Sequence, residues 1–525
     1  MVVALESLTN LNAEQLRELA GDLMAKIAQQ SLQIGAHVQA IAAKDSDILY
    51  RQAKIDKLTH ELATLKRWKF GRSREQLNSG QVSLIEETLD ADIAAIEQEL
   101  HNLAPTPKAA AEPRKQPKRE ALPAELSRVE VRHDPDSTTC GCGCQLKRIG
   151  EDVAEKLDYT PGVFTVERHI RGKWACAECA TLIQAPVPAQ IIDKGIPTAG
   201  LIAHVLVAKY CDHLPLYRQE NIFARAGYAI PRSTLAAWVG VCGVQLQPLV
   251  DALKGAMLQH AVLHADETPV AMLKPGNKKT HRAYIWAYAP GAFEDLKAVV
   301  YDFCETRAGE HTRDFLGEWR GSLVCDDYAG YKASFMSGIT EVGCMAHSRR
   351  KFFDLHVSNK SQIAEQALAY ISQLYDVERG VKHLPANERL QIRQAQSKPL
   401  ADAFYQWMLL QRQKITNGTA TAKALDYSLK RWGALTRFLD DGQLPIDNNW
   451  IENQIRPIAI GRNNWLFAGS LRAGQRAAAV MSLIQSAKLN GHDPYAYLKD
   501  VFERLPTQKN SQIEELLPHR WMPAQ

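Results

Sequence analysis

Ala261-Val262-Leu263-His264-Ala265-Asp266-Glu267-Thr268-Pro269 runs from a nearly unbroken apolar stretch into a pair of carboxylates, and Ser322-Leu323-Val324-Cys325-Asp326-Asp327-Tyr328-Ala329-Gly330-Tyr331 does the same sixty positions later. A short apolar run bounded by polar residues reads as a buried strand, so Asp266 and Asp326 are expected where strands end. A third acid, Glu452, stands a further 126 positions along, in Asp447-Asn448-Asn449-Trp450-Ile451-Glu452-Asn453-Gln454-Ile455-Arg456-Pro457, which reads as a helix. Like charges gathered at strand ends are costly unless a cation neutralises them. A hard divalent ion with oxygen ligands, Mg2+ or Mn2+, meets that need. Two such ions activate water or a 3′-hydroxyl and stabilise the leaving oxygen in phosphoryl transfer. The pattern points to an enzyme that cleaves and joins DNA strands.

Working outward, 261–265, 283–289, 298–303, 323–325 and 341–344 read as strands, with a helix at 312–319. Three strands, a helix and a strand, with acids on the first and fourth strands, is the order of an RNase H-like α/β core. Residues 355–440 read as mostly helical and fit as an insertion inside a catalytic domain spanning 256–490, followed by a helical tail at 491–525. Neighbours Glu267 and Asp327 point to opposite faces from the triad, as successive strand residues must, and are expected to be supporting groups.

The N-terminal half has a different character. Residues 11–66 lack proline, and Ile27, Ile34, Ile41, Ile48, Ile55 and Leu62 recur every seven positions, one seam of a coiled coil. The companion seam, Leu23, Gln30, His37, Lys44, Arg51, Leu58 and Leu65, is half polar. Self-association through this helix is expected, packing on its own chain being the alternative. Lys66-Arg67-Trp68-Lys69-Phe70-Gly71-Arg72-Ser73-Arg74 mixes cations with aromatics, as phosphate contact with base stacking requires. Together these define an N-terminal region at 1–103. Residues 104–127 carry Pro, Ala and basic residues without a hydrophobic face and read as a flexible linker.

Five of the ten cysteines crowd into residues 140–179. In a reducing compartment such crowding means metal rather than disulfides. Cys176 and Cys179 form half of a zinc knuckle in a small domain at 128–195. The other half comes from Cys140, Cys142 and Cys144, with Cys140 and Cys142 the first choice and Cys144 the alternative ligand. Residues 196–255 read as all-helical with the cadence of a helix-turn-helix module, whose second helix would offer Arg232, Ser233 and Thr234 to a DNA groove. Net charge is only +4, from 63 basic and 59 acidic residues, so any nucleic-acid footprint is local. No signal peptide or long apolar span is legible, so a cytoplasmic, nucleoid-associated protein with no membrane contact is expected.

Taken in order, these boxes make virtually the whole chain resemble the large transposase of the insertion sequence 66 family. The resemblance rests on Lys69-Phe70-Gly71-Arg72-Ser73-Arg74-Glu75 after the N-terminal helix, Ile149-Gly150-Glu151-Asp152 after the cysteines, Asp266-Glu267-Thr268-Pro269, the Cys-Asp-x-Tyr-x-Gly-Tyr box at 325–331, the Cys-x-Ala-His-x-Arg-Arg-Lys-Phe box at 344–352, and the Asp-Asn-Asn-x-x-Glu-Asn box opening 447–462. It implies a multidomain, RNase H-like DDE transposase in which Asp266, Asp326 and Glu452 are the catalytic, metal-binding triad. The sequence departs from the family where its first cysteine pair is one residue short and where Trp450 replaces a more polar residue. Double-stranded DNA, both element ends and target, is the implied partner, and accessory proteins of the same element are suggested. His347, Arg349, Arg350, Arg456, Arg462 and Trp465 are further candidates for DNA contact, beside Lys69, Arg72 and Arg74. A silent end-binding repressor and a structure-specific nuclease are the alternatives on the same fold.

Overall fold

The computed structural model describes residues 13–70, 79–103, 121–193, 195–274 and 280–523, in two units: Met1–Gly71 with Ile96–Pro113, and Arg72–Ala95 with Arg114–Gln525. The basic-box residues Arg72 and Arg74, and positions 104–120 of the linker, lie outside the described residues.

In the first unit, α1 (Ala13–Phe70) is one helix of 58 residues, as its proline-free heptads require. Its heptad seam divides. Ile27, Ile34, Ile41 and Ile48 stay about 60% exposed, whereas Leu58 and Leu65 of the companion seam are buried. The end of α2 (Ser79–Leu103) lies beside α1, with Lys66 Nζ donating to Glu97 Oε1 at 2.7 Å. Lys69 is half-buried in the last turn of α1.

The second unit begins with the earlier turns of α2, where buried Asp92 pairs with buried Arg476 at 3.0 Å. Four strands follow: β1 (Ser127–His133), β2 (Leu146–Thr160), β3 (Val163–Cys176) and β4 (Leu182–Gln184). β2 and β3 form a long antiparallel hairpin, with β1 and β4 paired to β3. The hairpin closes at Gly162, whose φ of +88° suits glycine. Leu157, Tyr159, Phe164 and Val166 are buried near this closed end and join the main core; the far end carries the cysteines.

Helices α3 (Ala199–Tyr210), α4 (Leu216–Arg225) and α5 (Arg232–Met257) come next. Here the structure differs from a separate module ending at 255. Leu201, Ile202, Ala203, Val205 and Leu206 are all buried, more than one helix face, so α3 requires cover on several sides. That cover comes from a single core shared with the sheet that follows. Among the described residues α5 is the one helix long and apolar enough to cross a membrane, and more than half of that apolar stretch is buried in this core.

The central sheet comprises β5 (Val262–Met272), β6 (His281–Pro290), β7 (Val300–Cys304), β8 (Ser322–Cys325) and β9 (Thr340–Gly343), with α6 (Gly309–Leu316) before β8 and the short α7 (Lys332–Met336) after it. Strand order is β7-β6-β5-β8-β9: an antiparallel meander, then two strands parallel to β5. Period-two alternation assigns the faces. Leu263, Ala265, Leu323 and Cys325 enter the main core; Val262, Val324 and Val342 enter a second core. The inserted helices are α8 (Met345–Asn359), α9 (Gln362–Val381), α10 (Ala386–Ile392), α11 (Lys398–Gln413), α12 (Ala420–Lys430) and α13 (Trp432–Leu435), and all but α10 contribute residues to that second core. The helical stretch starts at Met345, earlier than expected from sequence, because α8 follows β9 with only Cys344 between them. The chain returns through α14 (Asn449–Trp465), α15 (Leu471–Leu489) and α16 (Pro494–Arg504). Ser482 and Ser486 of α15 accept hydrogen bonds from the backbone of Tyr301 (2.8 Å) and Val299 (3.0 Å), which satisfies donors on the edge strand β7 and just before it.

Candidate active site

Asp266 does not end its strand. β5 runs on to Met272 paired with β6 from Leu263, but its parallel pairing with β8 stops at His264. Asp266 therefore stands where the parallel ladder opens, and Asp326 follows the last residue of β8 at the same opening. Each carboxylate is oriented by the backbone: Glu267 N donates to Asp266 Oδ1 and Tyr328 N to Asp326 Oδ1, both at 2.9 Å. The Asp326 loop needs its glycine, since a Cβ on Gly330 would lie 2.2 Å from the Tyr328 ring.

The neighbouring acids have other partners. Glu267 is buried, accepts from Arg307 Nε at 2.6 Å and from the Tyr331 hydroxyl at 2.9 Å. Asp327 pairs with Arg431 at 2.7 Å, and Arg431 also reaches Glu341 at 2.5 Å, which binds the inserted helices to the end of the sheet.

Glu452 sits in the first turn of α14, where the helix dipole favours a negative charge. What fixes this turn is Asn448, fully buried. Its Nδ2 donates to the Ala265 carbonyl at 2.9 Å, so its Oδ1 must accept, and His264 Nδ1 supplies the proton at 2.7 Å. Burial holds His264 down at about 4, the Asn448 bond opposing it, so the imidazole is neutral at pH 7. Asn448 N also donates to Cys344 Sγ at 3.2 Å, Met345 N to the Ile446 carbonyl at 3.0 Å, and the Tyr375 hydroxyl to Asp447 at 2.7 Å. Strand β5, the start of α8 and helix α9 thus grip the Asp447-Asn448-Asn449 turn, one helical turn before Glu452.

The electrostatics couple the acids. Burial, then the charge of Glu267 and those of Asp326 and Glu452, push the Asp266 carboxyl well above the usual carboxylate range. Glu452 Oε1 is enclosed with no hydrogen-bond partner, as is His347 Nδ1 3.8 Å away; Arg350 stands 3.6 Å from the other oxygen. The three carboxylates feel one another's charge, but among the described residues they do not form a group whose ligating atoms all lie within 4.8 Å of one another; the enclosed oxygen of Glu452 lies instead beside Cys344 and His347.

The remaining candidates divide. Arg349 and Arg456 are exposed, Arg349 over the Phe353 ring at 5.6 Å. Arg462 donates to the Pro269 carbonyl at 3.0 Å, binding α14 to β5, and Trp465 is half-buried. Arg232 opens α5 and pairs with Glu86 at 3.2 Å; Ser233 is exposed and Thr234 half-buried. Sequence reasoning assigned no role to His264, Asn448, Arg307, Arg431 or Cys344. A lone histidine inside an apolar strand was the available signal for the first.

At the far end of the β2–β3 hairpin, the sulfurs of Cys140, Cys142, Cys176 and Cys179 all lie within 4.8 Å of one another. Cys144 is outside the group; its carbonyl accepts from Cys140 N at 2.8 Å and closes the turn on which Gly143 takes a φ of +87°. A zinc ion 2.3 Å from four tetrahedral sulfurs sets them about 3.8 Å apart. The separations Cys140–Cys179, Cys142–Cys176 and Cys142–Cys179 are 3.2, 3.7 and 3.8 Å. Hydrogen bonds from Thr181 bring the Cys179 thiol down to about 6, nearer the thiolate that zinc binds.

A family model described as the IS66 transposase family matches residues 194–476, and one described as the IS66 C-terminal element matches 482–519. Residues 137–180 match a zinc-finger binding domain of transposase IS66, and 57–131 a model described as Transposase C of IS166 homeodomain. The match over the cysteine cluster, with its four-sulfur geometry, supports a structural Zn2+. Among relatives, the uncharacterized protein y4qI of Sinorhizobium fredii is 35% identical over 95% of this chain and 97% of its own length. Two others from that organism, y4jD and y4hP, are 37% and 33% identical over 76% and 91% of this chain and 81% and 89% of their own. The chain belongs to the IS66 transposase family.

Proposed function

We propose that this protein is an RNase H-like DDE transposase that cleaves and joins DNA strands at the ends of its element, with Asp266, Asp326 and Glu452 as its catalytic acids. The observation that carries the reading is placement at one opening of the sheet: the parallel β5–β8 ladder ends beside Asp266 and Asp326, and Asn448 ties the turn before Glu452 to Ala265. The strand order β7-β6-β5-β8-β9 supports the RNase H-like assignment. The three acids would hold Mg2+ or Mn2+, which when bound activates the attacking hydroxyl and stabilises charge on the leaving oxygen.

The protein's own groups do the rest. The backbone amides of Glu267 and Tyr328 aim the two aspartates, and Asn448 ties the turn before Glu452 to β5. Exposed Arg349, Arg350 and Arg456 offer phosphate contacts beside the acids, and the Ser233 end of α5 a further one. Cys140, Cys142, Cys176 and Cys179 are the zinc ligands of a structural knuckle, and the exposed isoleucine seam of α1 joins a second copy in a coiled coil. Such a protein works on DNA in the cytoplasm.

The test uses purified wild type, Asp326→Asn and Glu452→Gln with labelled element-end DNA, target DNA and Mg2+. The reading expects nicked and joined products from wild type alone. Nicking without joining by wild type would favour a nuclease. Equal products from all three would remove these acids from catalysis.

A further inference from the structure

One group of ligating atoms beside the acid cluster is not of the type that magnesium uses. Cys344 Sγ, a ring nitrogen of His347 and a carboxylate oxygen of Glu452 all lie within 4.8 Å of one another. Cys344 caps α8 and His347 stands three residues on, so both face the start of α14 from one side of a helical turn. His347 Nδ1 and Glu452 Oε1 are enclosed, unpartnered, and 3.8 Å apart, too far for a hydrogen bond. An ion held between them satisfies both: tetrahedral zinc at about 2.0–2.2 Å from nitrogen and oxygen sets the two about 3.4 Å apart. Cys344 is buried, with Asn448 N at 3.2 Å as its donor, and a bound metal displaces the thiol proton outright.

We propose that Cys344, His347 and Glu452 form a second zinc site, distinct from the four-cysteine knuckle, with three protein ligands and a fourth position open to water. Thiolate and imidazole select a borderline-soft ion; magnesium, which demands hard oxygen ligands, is not bound by this set. Zn2+ there would engage the Glu452 carboxylate that the Mg2+ site needs. Its consequence, inhibition of the Mg2+-dependent reaction by zinc, rests on the reading of Glu452 as a catalytic acid; the site itself does not.

The test compares full-length wild type with Cys344→Ser, which keeps size and an acceptor for Asn448 N, and with His347→Gln as a second variant should the first fail to fold. Bound zinc is counted after equilibration with Zn2+ and dialysis, and Co2+ is titrated while thiolate-to-cobalt absorption is followed. The proposal expects two zinc ions per chain in wild type and one in either variant, with loss of one of two cobalt-thiolate phases. One ion in all three, with identical cobalt spectra, would overturn it. In the strand-cleavage assay Zn2+ should inhibit wild type, and Cys344→Ser should need at least about tenfold more zinc for the same inhibition. Equal sensitivity would overturn the inhibitory role. A fully active Glu452→Gln would remove Glu452 from catalysis while leaving the zinc count to judge the site.

Discussion

Replacing Asn448 by alanine tests how the third acid is placed. The residue is fully buried and its side chain makes two hydrogen bonds, from Nδ2 to the Ala265 carbonyl at 2.9 Å and to Oδ1 from His264 Nδ1 at 2.7 Å. Truncation leaves a buried carbonyl and a buried imidazole N–H unpaired, each costing about 1–3 kcal/mol. The expected loss of stability is thus about 2–6 kcal/mol, a large share of the roughly 5–15 kcal/mol that holds a typical domain. Activity should fall further than stability explains, because the turn released is the one before Glu452. A displacement of about 1 Å at a reacting centre costs on the order of a hundredfold in rate. His264→Leu removes only the donor to Oδ1 and should cost less, and the two changes should couple by about 0.5–3 kcal/mol in a double-mutant cycle. The assay is denaturant unfolding read by tryptophan fluorescence, beside Mg2+-dependent cleavage at a temperature where both variants remain folded. An Asn448→Ala protein within about 0.5 kcal/mol of wild type, cleaving at the wild-type rate, would refute the reasoning.

Metal affinity should depend on pH through Asp266. Its carboxyl is pushed up in the folded protein, so raising the pH from the ordinary carboxylate range toward that higher value forces a charge onto a buried site and destabilises the metal-free fold. Mg2+ competes with the same proton, so calorimetric affinity should rise with pH across that window and level off above it; a flat profile would contradict the shift. Asp266→Asn should raise the melting temperature of metal-free protein while abolishing cleavage, as thermal scans with and without Mg2+ would show. Chelating the knuckle zinc should melt the cysteine end of the β2–β3 hairpin, whose local core is only Cys140, Leu146 and Cys176 with a few partly buried neighbours, while β5–β9 stay protected; hydrogen exchange reads both. Arg431→Ala frees Asp327 and Glu341, whose side chains are 44% and 32% exposed, so the loss should be about 1 kcal/mol and the melting temperature should fall by only a few degrees.

What the sequence shows of this molecule follows from what patterning can encode. The five sheet strands were legible because their apolar runs are short and sharply bounded, and Asp266 and Asp326 because a carboxylate directly after such a run is conspicuous. The extension of β5 to Met272 was not, because Glu267 and Thr268 interrupt the apolar run and their burial depends on Arg307, Tyr331 and β6. Helix α5 resembled half of a DNA-reading hairpin by its turn residues, yet Leu235, Trp238, Val239, Cys242 and Leu246 are buried in the common core. Local cadence does not encode what a helix packs against. The Asn448–His264 bond joins residues 184 apart, a pairing one sequence does not reveal. The cysteine ligands were narrowed by spacing but separated by a turn: Cys144 lends its carbonyl to Cys140 N and leaves the sulfur group.

The most direct measurement is the anomalous diffraction of Mn2+ in crystals of the full-length protein bound to element-end DNA. The account predicts manganese at about 2 Å from carboxylate oxygens of Asp266, Asp326 and Glu452, beside the phosphate to be cut. Manganese elsewhere, with these three carboxylates bare and the scissile phosphate remote from them, would contradict it.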